Sequence, residues 1–401
     1  MSRKNRYRCL VVMFLCLDLA VLGWLGFKFL DWKVPDEIYV TREDSQEVTK
    51  LLKRPFLTFE DAIEVSGKGG YDLKCRLLGV IPFKDVHVVE GSRQSVYVSG
   101  GTVGIYMETK GVLVVDTGEI ETQSGTTEVP AGNIVKAGDY IVAFNGKKIT
   151  DKQQLIRRLS DLNEEKVTLK VQRNGKILPL SLTPVKDTGG KYKLGLWVRD
   201  DTQGIGTLTF VDENGKFGAL GHGISDIDTG ELLNIRDGSL YGAQIMGIKK
   251  GTKGSPGELT GLICYDEKNV IGSVSRNCES GIYGNIDKED INDLPLKKMK
   301  IGYKQEMKTG PASILCCVDG TVKEYAAEIT RIDMNREDTN KSFVIKITDQ
   351  ELLEKTGGIV QGMSGSPVIQ NGCVMGAVTH VFVQDSAGGY GIFIENMLKK
   401  V

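Results

Sequence analysis

Apolar residues fall along this chain in two rhythms. From Cys9 to Leu30 they form a nearly continuous run, broken only by a few small residues, Asp18 and Lys28. That is about the roughly 20 residues a helical membrane span requires. Arg3, Lys4, Arg6 and Arg8 precede the run, and a basic flank stays on the cytoplasmic side, so 1–30 predicts a transmembrane signal anchor with the rest of the chain facing outward. No small-x-small cleavage site follows, which favours a retained anchor over a removed signal peptide. Asp18 costs about 2.5 to 3.5 kcal/mol near a bilayer centre, offset by the many Leu, Val and Phe around it. Residues 31–70 are mixed and charged and predict a tether with a short helix at 59–65. From Tyr71 the rhythm becomes short and alternating, predicting strands at 77–81, 86–89, 96–98, 103–107 and 111–115. A helix is expected at 151–162, then strands at 166–173 and 177–184 turning at Asn174-Gly175, a two-residue hairpin signal. Farther on, 342–349 alternates as a strand before a short helix. Ile359-Val360 and Val368-Ile369 flank a glycine-dense turn that leads to a second hairpin signal, Asn371-Gly372.

Composition narrows the class. A chain of 401 residues has room for two or three cores. Its 49 glycines against 10 prolines suit a turn-rich, mostly β protein. With 51 Lys+Arg against 52 Asp+Glu, and no basic patch interleaved with aromatics, nucleic acid is excluded as a partner. The eight cysteines are scattered and Cys316-Cys317 are adjacent, so neither a zinc site nor a disulfide framework is indicated. No metal or cofactor is expected. Cys75, Cys264 and Cys373 read as buried small hydrophobes.

The segment Gly138-Asp139-Tyr140-Ile141-Val142-Ala143-Phe144-Asn145-Gly146, followed by a strand and a helix, resembles a PDZ domain of the type found in bacterial proteases. Such domains bind a peptide as an added strand. The resemblance places the peptide-binding loop at Val103-Gly104-Ile105. The chain ends in Val401, an apolar residue with a carboxylate, which makes Val401 a candidate ligand of this domain in its own chain or a neighbour's.

Candidate chemistry centres on Gly357-Gly358-Ile359-Val360-Gln361-Gly362-Met363-Ser364-Gly365-Ser366-Pro367. Glycines on both sides keep the approach to Ser364 clear and allow positive φ. The amides of Gly362 and Ser364 can then converge beside the hydroxyl, giving a nucleophile with fixed donors for an oxyanion. Three histidines compete as base. His87, in the alternating Val86-His87-Val88, reads as structural. His222, in Gly221-His222-Gly223 where a strand gives way to a loop, suits an imidazole exposed in a cleft. His380, on a strand after the nucleophile, is the rival base, a residue lining the substrate pocket, or an ordinary strand histidine. Asp349, Asp226 and Asp228 are open as the carboxylate that would orient the histidine.

Taken together, Gly-Ala-Leu-Gly-His-Gly-Ile-Ser-Asp at 218–226 and Gly-Gly-Ile-Val-Gln-Gly-Met-Ser-Gly-Ser-Pro at 357–367 closely resemble the SpoIVB serine peptidase family, from the anchor to the C-terminus. The resemblance implies a catalytic triad of His222, Asp349 and Ser364. It implies a trypsin-like double β-barrel with an inserted or preceding PDZ-like domain, divided as tether 31–70, β segment and PDZ 71–187, and peptidase 188–401. Met363 stands where trypsin-type proteases carry an acidic residue. A protein of this kind is a sporulation signalling protease in the space between forespore and mother-cell membranes. It cleaves itself in the tether and cuts a membrane-associated regulator of an intramembrane metalloprotease, which triggers a late sigma factor. A membrane-anchored, non-catalytic PDZ adaptor and a general extracytoplasmic quality-control protease are the alternatives.

Overall fold

The computed structural model describes residues 3–40, 56–59, 63–65, 70–91, 93–162, 166–287, 291, 294–335 and 339–401. Helix Arg3–Lys33 leads the chain, and its Tyr7–Asp31 stretch, of mean hydropathy 2.3 and with no residue buried, is long and apolar enough to cross a membrane. The described parts of the segment expected to be a tether enter a sheet. Glu37–Val40 pairs in parallel with Ile81–Glu90, which pairs with Gly70–Leu77, flanked in turn by Leu57–Phe59 and Ile63–Val65. Val34, Ile38, Val40, Leu73, Val86 and Val88 close a small core beneath this sheet. At both ends of the expected helix 59–65 the described residues are strands, Leu57–Phe59 and Ile63–Val65; 41–55, 60–62 and 66–69 lie outside the described residues.

Two six-stranded rings follow. In the second, Gly310–Cys317, Val322–Ile332, Phe343–Ile347, Gly388–Phe393, Cys373–Val381 and Pro367–Gln370 close a barrel around Phe343, Ile345, Met363, Val368 and Phe393. In the first, pairing runs from Thr102–Thr117 through Ile235–Lys249, Val270–Cys278, Gly281–Ile286, Lys216–Ala219 and Leu196–Val211, and returns to Thr102–Thr117. The protein is thus mostly β, with a trypsin-like pair of barrels.

Two strands of that first ring, Thr102–Thr117 and Leu196–Val211, each run 16 residues. Their far halves leave the barrel and enter a smaller domain, inserted between them. Thr102–Thr117 pairs there with Tyr140–Phe144, which pairs with Val167–Arg173 and then Lys176–Leu182, beside helix Lys152–Ser160. Asn174 and Gly175, both at positive φ, make the expected hairpin turn. Asp139 is buried, and both its oxygens accept from Arg173, each at 2.7 Å, which explains its place in the Gly-Asp motif. The division expected at 187/188 separates strands that pair with one another, because 102–117 serves both units. Of the three cysteines read as buried, Cys75 is buried, Cys373 is half-buried and Cys264 is exposed at the end of a hairpin strand.

Candidate active site

The nucleophile loop leaves helix Gln350–Thr356 and crosses the seam between the barrels before entering Pro367–Gln370. Gly362 and Gly365 bend it at φ +100° and +96°, a region that favours glycine. Glycine at 365 is also a packing requirement, since a Cβ there would lie 2.3 Å from the Thr207 carbonyl oxygen of the first barrel. Ser364 Oγ donates to the Thr379 carbonyl at 2.8 Å.

Backbone partners around Ser364 are unevenly distributed. The amides of Gln361, Met363, Gly365 and Ser366 donate to Gly257, Val360, Val378 and Met363 carbonyls. Those of Gly362 and Ser364 have no intramolecular acceptor among the described residues. They are the two amides expected from sequence to hold an oxyanion.

His222 follows strand Lys216–Ala219 and lines the same cavity, of about 420 Å³, as Ser364, Thr379 and His380. Its Nδ1 lies 2.8 Å from the Gly223 carbonyl oxygen. A carbonyl only accepts, so Nδ1 carries the proton and Nε2 of the neutral ring is left as an acceptor. Burial holds the His222 pKa below 6.5, partly opposed by the Gly223 bond. The glycine after it has a packing reason too: a Cβ on Gly223 would meet Leu232 Cδ1 at 2.3 Å and the Cys278 carbonyl at 2.6 Å.

His380 lies beside this base, with ring centroids 4.9 Å apart and planes tilted 36°. Burial, then the proximity of His222, pushes its pKa down to about 4. It is therefore neutral near pH 7, and its Nδ1 is buried with no hydrogen-bond partner among the described residues. His87 sits elsewhere, paired with Asp72 at 2.7 Å across the N-terminal sheet.

The three carboxylates do not reach the base. Asp349 caps helix Gln350–Thr356, its oxygens accepting from Leu352 N at 3.1 Å and Ala326 N at 3.2 Å. Asp226 is buried against Arg199 and also accepts from the Asp228 and Thr229 amides. Asp228 takes the other end of the same guanidinium at 2.9 Å. The structure thus joins His222 with Ser364 and leaves Asp349 outside the cavity; the group on His222 Nδ1 is a backbone carbonyl, which no side-chain motif announces.

The loop placed at Val103-Gly104-Ile105 is corrected as well. These residues pair with 204–206 on one edge and 240–242 on the other, inside the first barrel, so they offer no free edge to a peptide. An open groove lies instead between helix Lys152–Ser160 and the start of Leu196–Val211, about 900 Å³ in volume, with Leu155, Ile156, Leu159, Gly195 and Trp197 on its walls. Leu196–Arg199 pairs with 113–117 along one edge, and no strand lies along the other among the described residues. The apolar-Gly-apolar run Leu194-Gly195-Leu196 was the sequence signal for it. Val401 does not occupy this groove in its own chain; it packs half-buried against the core around Phe210, Ile301 and Met397.

Comparison with known families decides the assignment. Residues 190–398, more than half of the chain, match the family model described as SpoIVB peptidase S55. The chain belongs to the SpoIVB peptidase S55 family. Residues 102–183 match the PDZ domain model, which covers the inserted unit of this S55 peptidase. A Lactococcus lactis subsp. lactis (strain IL1403) protein described as a zinc metalloprotease is 37% identical over 76 residues, 19% of this chain; the match spans 17% of that relative's length. Among solved structures, the active form of the Rv3671c protease from M. tuberculosis covers 50% of this chain and 74% of its own, at 17% identity and TM-score 0.28. The PDZ domain of the SdrC-like protein from Listeria monocytogenes covers 22% and 87%, at 20% identity and TM-score 0.19. The double-barrel description of the S55 chain rests on its own strand pairing.

Proposed function

We propose that this S55 family member is a serine endopeptidase in which Ser364 is the nucleophile, His222 the base and then the acid, and the Gly362 and Ser364 amides the oxyanion donors. The observation that carries the reading is the coincidence, in one cavity, of a hydroxyl, an imidazole with its Nε2 lone pair available, and the two amides of 361–366 left without acceptors. Rotation about the Ser364 Cα–Cβ bond takes the hydroxyl from Thr379 to His222. Oγ then attacks the peptide carbonyl as its proton passes to Nε2, and the carbonyl electrons move to an oxygen held by the two amides. Collapse expels the amine, which takes the proton from Nε2, and water repeats the sequence to release the acid. The Gly223 carbonyl keeps the imidazole in the required tautomer and faces the positive charge that forms. Asp349 supports the site from behind, through the helix that delivers the loop. His380, neutral and beside the cavity, presents a hydrogen-bonding nitrogen to substrate.

Family membership and the apolar N-terminal helix support the finer reading: a membrane-anchored peptidase of sporulation signalling that acts outside the cytoplasm. It cleaves itself near the N-terminus and cuts a regulator of an intramembrane metalloprotease. The groove beside Leu196–Arg199 accepts a peptide as an added strand. Residues 31–401 and the Ser364→Ala variant, each incubated with a fluorophosphonate probe and followed by intact mass, test the chemistry. Ser364-dependent labelling and trimming are expected. A folded protein that neither labels nor trims would leave a non-catalytic PDZ adaptor. General degradation of unfolded casein would favour a quality-control protease.

A further inference from the structure

In the trypsin-type proteases that this family resembles, an acidic residue precedes the nucleophile. Here that position is Met363, fully buried in the second barrel's core, with no charge to anchor the loop. Something else must hold Gly362 and Gly365, the two hinges of the loop. Without a Cβ, each lets its peptide plane turn at little steric cost.

Carbonyl partners show what does. All five carbonyls from Gln361 to Gly365 are occupied. Gln361 O accepts from Leu259 N at 2.9 Å, and Met363 O from Ser366 N at 3.0 Å. The other three are bonded from one strand of the opposite barrel. Thr207 N donates to Ser364 O at 3.1 Å. Thr207 Oγ1 donates to Gly362 O and Thr209 Oγ1 to Gly365 O, each at 2.8 Å. Both threonines are almost fully buried, and both hydroxyls reach the same loop. Each glycine hinge therefore has one threonine hydroxyl on its carbonyl. A peptide's C=O points opposite to the N–H of the next residue, so the Gly362 and Ser364 amides are aimed by Leu259 N on Gln361 O and Ser366 N on Met363 O, while Thr207 fixes the peptides 362–363 and 364–365 on either side of the Ser364 amide and Thr209 fixes 365–366.

We propose that Thr207 and Thr209 are positioning residues that latch the oxyanion loop in its donating conformation, in place of a charged anchor. The inference rests on the assignment of Ser364 as nucleophile. Because the latch belongs to the first barrel, the oxyanion site is complete only when the two barrels are docked.

The test uses the full chain in detergent micelles and the second-order rate of labelling by a fluorophosphonate, whose phosphoryl oxygen enters the oxyanion site. Thr207→Val keeps shape and main-chain N–H but removes the hydroxyl, and should slow labelling about ten- to hundred-fold, somewhat less than outright loss of an oxyanion donor. Thr207→Ser restores the donor and should label within about three-fold of wild type on the same scale. The pH midpoint of labelling should not move in either variant, since His222 is untouched. Thr209→Val, which reaches only the Gly365 hinge, carries the same test if Thr207→Val melts below the assay temperature. Wild type and valine variants labelling at equal rates would overturn the latch alone. Failure of folded wild type to label would remove the nucleophile assignment, and the latch with it.

Discussion

The second barrel is one uninterrupted stretch, 310–393, while the first gathers its strands from 102–286 and is split by the PDZ domain. In the proposed mechanism, the barrel of contiguous chain supplies the bond-making parts: Ser364 and the two amides beside it. The split barrel supplies what controls them, namely the His222 imidazole, the Gly223 carbonyl and the two threonine hydroxyls. The self-contained unit still borrows its loop geometry, through the bonds of Thr207 and Thr209 to the carbonyls of 362, 364 and 365. A divided one depends on whatever is inserted between its strands.

The comparison is broken or sharpened most strongly by removing one group from each barrel. Ser364→Ala and His222→Ala should each lower turnover by about 10⁶, and the double variant little further, because groups acting as a unit are not additive. Markedly unequal losses, measured with a peptide substrate taken from the proposed self-cleavage site, would mean the barrels do not share one reaction. A next, smaller effect concerns the insertion. Ile156→Lys in the PDZ groove should weaken binding of a protein substrate about tenfold while fluorophosphonate labelling stays at the wild-type rate; equal loss in both would make the groove part of the catalytic barrel. Acidity tests the base. His222 must be neutral to accept the proton, and burial lowers its pKa, so kcat/KM should rise with pH through a midpoint below 6.5. Stability should follow the same sign. With His380 held near 4 against 6.5 for the unfolded chain, the unfolded chain binds more protons in that window, so thermal stability falls as pH drops from 6.5 toward 4.

The smallest expected effect discriminates best. Asn caps helices as well as Asp does, so Asp349→Asn should leave turnover within about tenfold of wild type, against about 10⁴ for an orienting carboxylate. Asp349→Ala should cost about 1 kcal/mol of stability by losing the cap, read as a lower denaturant midpoint. A 10⁴ loss in the Asn variant with an unchanged melt would return Asp349 to the triad.

What could be read from sequence was local in origin. The Ser364 turn, the Asn371-Gly372 and Asn174-Gly175 hairpins and the helix at 152–160 are specified within a dozen residues, by glycines, a capping Asp151 and alternation. The two amides without acceptors among the described residues, Gly362 and Ser364, lie in that same glycine-shaped turn. Partners that come from afar were not legible. Whether Asp349 faces a histidine or two amides depends on Ala326, 23 residues earlier. Val103 and Ile105 alternate as any buried strand does, and nothing in them tells a barrel from a groove. The Gly223 carbonyl is backbone, and every residue has one.

The strand Leu196–Val211 begins at the PDZ groove and passes Thr207 and Thr209 near its end. At about 3.3 Å per residue it spans roughly 50 Å, and its ladder of lateral hydrogen bonds makes it far stiffer along its length than a loop would be. It forms a bulged rod running from the groove to the proposed oxyanion site, with register shifts at 197/198, 199/201 and 208/210. If a peptide in the groove shifts that rod toward better seating of the threonines, whatever occupies the oxyanion site must tighten the groove's hold on the peptide by the same factor, since such coupling is reciprocal for binding. A target held by the groove would thereby help ready the site that cuts it, and an inhibitor in the cavity would slow its own chain's release of that target.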